Sequence, residues 1–146
     1  MSESFYDEVL IDHNLHPQHQ HALPTATCSH AGMNPSCGDE ITLHLELHDG
    51  VISGGSYTGV GCAISQASAD IMLDLVIGRT PQEAQHLREL FMKMIAGEIN
   101  DDELEELEEA GALQNISKMP ARVKCAELGW RTLGALLDEA ASGNIT

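Results

Sequence analysis

An α+β fold, a small and mainly antiparallel sheet packed against helices, is predicted by three observations in these 146 residues. Residues 41–48 alternate strictly, with Ile41, Leu43, Leu45 and Leu47 on one face and Thr42, His44, Glu46 and His48 on the other, the period of a half-buried strand. Asp49-Gly50 follows, the dipeptide of a type I′ hairpin turn, and Val51-Ile52 through Tyr57 returns antiparallel to the first strand. Beyond Gly61 the apolar spacing becomes helical, and strands followed by a run of helices place the helices over one side of the sheet. The length suits one core, so residues 1–146 are expected to form a single domain.

In chain order, Ser4 followed by Asp7 marks a helix start, and Phe5, Tyr6, Val9, Leu10 and His13 share one face of a short helix expected to pack on the sheet. The stretch from His13 to His21 contains Pro17 and four histidines without apolar periodicity. It reads as a solvated loop, because a flexible polar segment offers a metal no fixed geometry. A third strand is expected over 26–33. Ile64, Ala67, Ser68, Ile71, Leu75 and Val76 then follow helical spacing up to Gly78, so Cys62 opens this helix. A sulfur there lies against unpaired backbone N–H groups and the positive end of the helix dipole, which favour negative charge.

Thr80-Pro81-Gln82-Glu83 combines an N-cap, a first-turn proline and a capping glutamate, with Leu87, Leu90, Phe91, Met94 and Ile95 as the buried stripe and Gly97 as the stop. Residues 97–117 form a strongly acidic segment in which Asn100 and Glu103 cap a short helix anchored by Leu104, Leu107 and Leu113. Its carboxylates are expected to face water, the alternative being a docking surface for a basic partner. The last helix starts near Pro120, and Val123, Ala126, Trp130, Leu133 and Leu137 make its apolar stripe, with Cys125 near its first turn.

Aromatic residues make up only 3% of the chain against 42% hydrophobic, so aliphatic side chains and Met fill the core. The formal net charge is −16, from 23 acidic and 7 basic residues. Such a chain is repelled by nucleic acid and by anionic lipid surfaces. The acidic start, Met1-Ser2-Glu3-Ser4-Phe5-Tyr6-Asp7-Glu8, does not have the pattern of a leader, and no stretch is long and apolar enough to span a membrane. The expected location is cytoplasmic, where four cysteines point to metal ligands or reactive thiols rather than two disulfides.

Three cysteines and one aspartate lie in separate contexts, Asn34-Pro35-Ser36-Cys37-Gly38-Asp39, Gly59-Val60-Gly61-Cys62-Ala63 and Arg122-Val123-Lys124-Cys125-Ala126. Three thiols and a carboxylate meet the four-coordinate demand of zinc. Loops and helix starts at one end of a sheet can bring such residues together, although spacing alone does not establish it.

With Phe5-Tyr6-x-Glu8-Val9-Leu10-x-Asp12-His13, Ile64-Ser65-x-Ala67-Ser68 after Cys62, and Leu128-x-Trp130 after Cys125, these motifs resemble the SufU-type branch of the IscU-like (NifU N-terminal-like) iron–sulfur cluster assembly proteins. The resemblance implies the SufE/IscU-like α+β fold and makes 97–117 an insertion that the IscU scaffolds lack. Scaffold members carry His immediately before the last cysteine; this chain has Lys124, whose protonated amine cannot ligate a metal. The resemblance therefore implies a zinc-dependent sulfurtransferase with Cys37, Asp39, Cys62 and Cys125 as metal ligands. It would accept sulfur from a PLP-dependent, SufS-type cysteine desulfurase on Cys37 and pass it to downstream cluster-assembly proteins. A histidine of the desulfurase would take the place of Cys37 on the metal.

Cys37 is the acceptor of choice because its Gly-containing turn can move, whereas Cys62 and Cys125 are fixed at helix starts. Arg122, three residues before Cys125 on one helical face, is the candidate to offset the negative charge of a zinc site with three thiolates. Cys28 matches no motif and reads as a buried spare thiol, and His30 and His44 as neighbours without a ligand role. Two alternative functions stand beside sulfur transfer: a scaffold carrying a transient [2Fe–2S] cluster on the same residues, and a structural zinc protein acting as a binding module.

Overall fold

The computed structural model describes the backbone of residues 3–141 and the side chains of residues 8–141. Helix α1 (Glu3–Leu15) precedes strands β1 (Cys28–Asn34), β2 (Asp39–His48) and β3 (Val51–Val60). Helices α2 (Ala63–Val76), α3 (Pro81–Ile95) and α4 (Asp101–Glu106), a 3-10 segment (Glu108–Lys118) and α5 (Pro120–Ala141) follow. The sheet runs in the order β1-β2-β3, antiparallel throughout. Asp49 and Gly50 both have positive φ, 52° and 76°, as a type I′ turn requires.

Period-two alternation sorts β2 as expected: Ile41, Leu43 and Leu45 are wholly buried, while Thr42, His44 and Glu46 face the open side. Helix α5 packs on β1 and β2, and α2 packs on β3 and on α5. Two contacts set the α2–α5 spacing. Gly129 lies where an added Cβ would come within 3.2 Å of the Ala69 Cβ, so the helices meet closely. Ser68 Oγ donates to the Ala126 carbonyl at 2.7 Å and accepts the Trp130 indole N–H at 3.1 Å. Trp130 stacks on Phe91 of α3 with ring centroids 4.3 Å apart, so three helices share this polar–aromatic joint. Because α2 begins beside Cys62 and α5 carries Cys125, the joint fixes the distance between two thiols.

Gly59 ends the hairpin with φ +114°, and a Cβ there would lie 2.1 Å from the Glu40 carbonyl oxygen. Gly59→Ala is expected to cost about 3 kcal/mol through backbone strain and this collision. Urea unfolding checks the value, and a cost below about 1 kcal/mol would show that the strand end relaxes freely.

Three expectations change. Helix α1 packs on α2 and on the 3-10 segment rather than on the sheet, because its buried His13 bonds to Asp70 and Glu109. The Phe5 and Tyr6 side chains lie outside the described residues. The His13–His21 stretch is not wholly a solvated loop: His13 is buried in α1, and the Gln18 and His19 backbone N–H groups donate to Asp70 at 3.0 and 2.9 Å. His16 and His21 are exposed as expected.

The acidic segment is a short helix capped reciprocally by Asn100 and Glu103 and ended by buried Leu107, followed by the 3-10 run that carries buried Leu113 onto the core. Several of its carboxylates turn back to the chain's own cations, Glu103 to Lys93 at 2.7 Å and Glu108 to Arg79 at 3.1 Å. Water is thus not their only partner.

Candidate metal centre

At the end of the sheet nearest the β1–β2 turn, Asn34 pairs with Asp39, and Gly38 closes the turn with φ +72°. This turn presents Cys37 at the surface while its neighbour two residues on, Asp39, is 2% exposed at the start of β2. Cys62 is the N-cap of α2, its sulfur accepting the Ser65 N–H at 3.5 Å. Cys125 lies early in the second turn of α5, close to the helix start, and is 1% exposed.

The side chains converge. Cys37 and Cys125 sulfurs are 3.4 Å apart, and the Cys62 sulfur is 4.0 Å from Asp39 Oδ2. One ligand atom each from Cys37, Asp39 and Cys125 lies within 4.8 Å of the others, while Cys62, the fourth expected ligand, is not within that distance of all three. A tetrahedron with Zn–S bonds of about 2.3 Å has sulfur–sulfur edges of about 3.8 Å, so the spacing suits a cation of that size. Surrounding groups orient the set: Cys62 N–H donates to Asp39 Oδ1 at 2.7 Å, and Asn34 Nδ2 lies 3.3 Å from Asp39 Oδ2 and 3.7 Å from the Cys125 sulfur.

Electrostatics favour a cation here. Asp39 is buried, and among the described residues no Lys, Arg or His side chain pairs with it. A buried carboxylate without a counter-charge is costly unless something positive joins it. Burial first, then hydrogen bonding to Cys37 and Cys62, pushes the Cys125 thiol far above its ordinary range, so without a cation it keeps its proton. A divalent ion held here would take the place of that proton and balance the Asp39 carboxylate. The residues present therefore fit a zinc-type ion.

The other sequence candidates fall elsewhere. Arg122 is exposed and makes no hydrogen bond or ion pair through its side chain among the described residues. Cys28 is buried in the core, its sulfur 3.8 Å from the Leu45 carbonyl, and burial raises its thiol. His30 pairs with Glu139, and His44 sits between Ser29 and Thr58 on the open face.

A second group was not foreseen. His13, Asp70 and Asp74 could also surround an ion, but His13 Nδ1 already meets Asp70 at 2.6 Å, its Nε2 meets Glu109, and His19 meets Asp74 at 2.7 Å. A protonated His13 is the cation of this group. The signal in the sequence is Asp70 itself, a carboxylate at a buried position of α2, next to Ile71 of its apolar stripe.

A sheet-and-helix domain that gathers two thiols and a buried carboxylate at ligand distance, with the half-buried Cys62 thiol beside the carboxylate, is a thiolate metal protein whose most exposed sulfur is Cys37. The chain belongs to the family of the NifU-like N terminal domain, whose model matches residues 5–135. It is 43% identical over 128 residues to the iron–sulfur cluster assembly scaffold protein IscU of Thermotoga maritima, covering 88% of this chain and 89% of that one. It is 33% identical over 142 residues to the zinc-dependent sulfurtransferase SufU of Bacillus subtilis, covering 97% and 95%. A crystal structure of the SUF-system iron–sulfur cluster assembly scaffold protein of Fervidobacterium islandicum AW-1 superposes with a TM-score of 0.85 at 33% identity, covering 94% and 99%. A NifU-like protein of Brucella abortus shares the fold, with a TM-score of 0.79 at 18% identity. The Thermotoga maritima and Fervidobacterium islandicum proteins are named for iron–sulfur cluster assembly, and this chain shares that role. Among the described residues no helix is long and apolar enough to cross a membrane.

Proposed function

We propose that the chain is a zinc-dependent sulfurtransferase that takes sulfane sulfur from a SufS-type cysteine desulfurase onto Cys37 and relays it to cluster assembly. The observation that carries this reading is the unequal setting of the three thiols. Cys37 is exposed on a glycine turn, Cys62 caps α2 and Cys125 is buried in α5. One sulfur is free to meet a partner while two hold the ion.

Zinc, when bound, keeps its thiol ligands deprotonated at neutral pH. Cys37, Asp39, Cys62 and Cys125 would hold it. The chain's own residues do the rest. The Cys37 thiolate attacks the outer sulfur of the desulfurase persulfide; a new S–S bond forms at Cys37, the donor's S–S bond breaks, and its electron pair leaves on the donor thiolate. Nothing is oxidised or reduced overall. Asn34 and the Cys62 N–H keep Asp39 aimed inward, and the Gly38 turn lets Cys37 swing out without disturbing β2.

Asp39→Ala is expected to retain the fold and to lose zinc about ten- to a hundredfold more readily to a chromogenic chelator. Unchanged zinc loss would remove Asp39 from the ligand set. The scaffold reading is favoured by the Thermotoga maritima relative, and Lys124 in place of a histidine counts against it. Anaerobic reconstitution that yields a cluster transferable to an apo-ferredoxin, with no persulfide on Cys37, would replace sulfur transfer by that reading.

A further inference from the structure

The chain is strongly acidic, yet four of its seven basic residues, Lys118, Arg122, Lys124 and Arg131, lie between positions 118 and 131 around Cys125. All four are exposed. Arg131 is held by Glu127 at 2.9 Å. Lys118, Arg122 and Lys124 make no ion pair among the described residues, although the chain offers 23 carboxylates. Lys124 and Arg131, seven residues apart on α5, share one face and make it locally positive on an otherwise anionic surface, whereas Arg122 lies on the other side of the helix and Lys118 before it.

Beside them runs an open groove of about 400 Å3, with Met33, Pro35 and Ser36 on one wall and Lys124, Leu128 and Arg131 on the other. The first wall leads directly into Cys37 and the second into Cys125. Met33 is 65% exposed and lies across Glu40 from Val60, 67% exposed, in one register row of the open sheet face. Large apolar side chains left this bare beside a reactive thiol suit coverage by a partner.

We propose that this groove is the docking seat for an acidic segment of the sulfur-donating protein, one that places an apolar side chain against Met33 and carboxylates against Lys124 and its neighbours. The inference rests on the sulfurtransferase reading for the identity of the donor. A small free anion would meet the cations but leave Met33 and Val60 bare, so a protein segment uses more of the surface. The single acid in the exposed apolar row, Glu40, sets the side from which the segment's carboxylates are excluded. Charge steers the encounter, and the apolar contact sets how long it lasts.

The test is isothermal titration of the zinc-loaded chain with the SufS-type desulfurase of the same organism at two salt concentrations, with persulfide on Cys37 read separately by mass spectrometry. Lys124→Glu is expected to weaken binding by about tenfold or more and to flatten its salt dependence, Lys124→Arg to bind as the parent does, and Met33→Ser to weaken binding by about fivefold at either salt. Zinc content equal to the parent's shows that each variant is folded. Lys124→Glu and Met33→Ser both binding within about twofold of the parent would overturn the proposal, as would a parent that does not bind. Weakened binding with no persulfide on Cys37 in the parent would uphold the seat and refute sulfur transfer. A parent chain that sediments as a dimer, and variants as monomers, would give the groove to a second copy and overturn the assignment.

Discussion

Cys37→Ala is expected to abolish stimulation of the cognate desulfurase, lowering alanine production to the level of the desulfurase alone, a loss of about a hundredfold or more in the stimulated rate. The reasoning starts from exposure. Cys125 is buried, and half-buried Cys62 is tied to the first turn of α2 through Ser65, so both sulfurs are less free to meet a donor than Cys37. Cys37 stands on the surface at a turn whose Gly38 adopts φ +72°. Removing it leaves the Asp39, Cys62 and Cys125 ligand atoms in place, and the variant is expected to bind zinc, although less tightly. Cys62→Ala and Cys125→Ala are expected instead to lose both zinc and stability, because each sulfur also packs in the core or caps a helix. Alanine production by Cys37→Ala equal to the parent's would show that another group accepts the sulfur.

His13→Ala is expected to destabilise the zinc-bound chain by about 3 kcal/mol near pH 6, and by much less above pH 9. His13 is buried between Asp70, itself without solvent exposure, and Glu109. The hydrogen bond to Asp70 does most to raise its pKa from 6.5 to about 9, against the opposing effect of burial, and Glu109 adds to it. The sign follows from the direction. A histidine whose folded pKa lies above its unfolded one contributes stability that is complete below about pH 6.5 and fades as pH rises through about 9. Half-exposed Glu109 contributes less of this than Asp70 does, because water screens it. The variant leaves the Asp70 carboxylate with only the Gln18 and His19 N–H groups, and it loosens α1 and the 3-10 segment together. Urea unfolding followed by the fluorescence of buried Trp130 measures the difference at each pH. A difference that stays constant from pH 6 to 10 would mean that His13 acts by packing alone.

The hairpin was legible because two local rules agree on it, the period of residues 41–48 and the Asp-Gly turn. Helices α2, α3 and α5 were legible for the same reason, each having an apolar stripe with a cap or stop beside it. For the metal centre, residue type and the family motifs named Cys37, Asp39, Cys62 and Cys125 but gave no arrangement; the fold brings Cys37, Asp39 and Cys125 together with Cys62 beside Asp39, and the Ser68–Trp130 joint and the Gly129–Ala69 contact set the spacing of α2 and α5. His13 was harder to read. A histidine on an apolar helical face does not announce its partners, which are 57 and 96 residues away. The long 3-10 segment escaped because its carboxylates obscure the spacing of Leu113 and Ile116, both fully buried. The basic groove had no local pattern at all, since its two walls come from β1 with its following turn and from α5.

The most direct test is to mix the zinc-loaded chain with its desulfurase and cysteine, quench the thiols with an alkylating reagent, and map added sulfur by peptide mass spectrometry alongside metal analysis. The account predicts one additional sulfur on the Cys37 peptide, none on the Cys62 and Cys125 peptides, and zinc retained. A chain that keeps zinc, binds the desulfurase and never carries sulfur on Cys37 would contradict it.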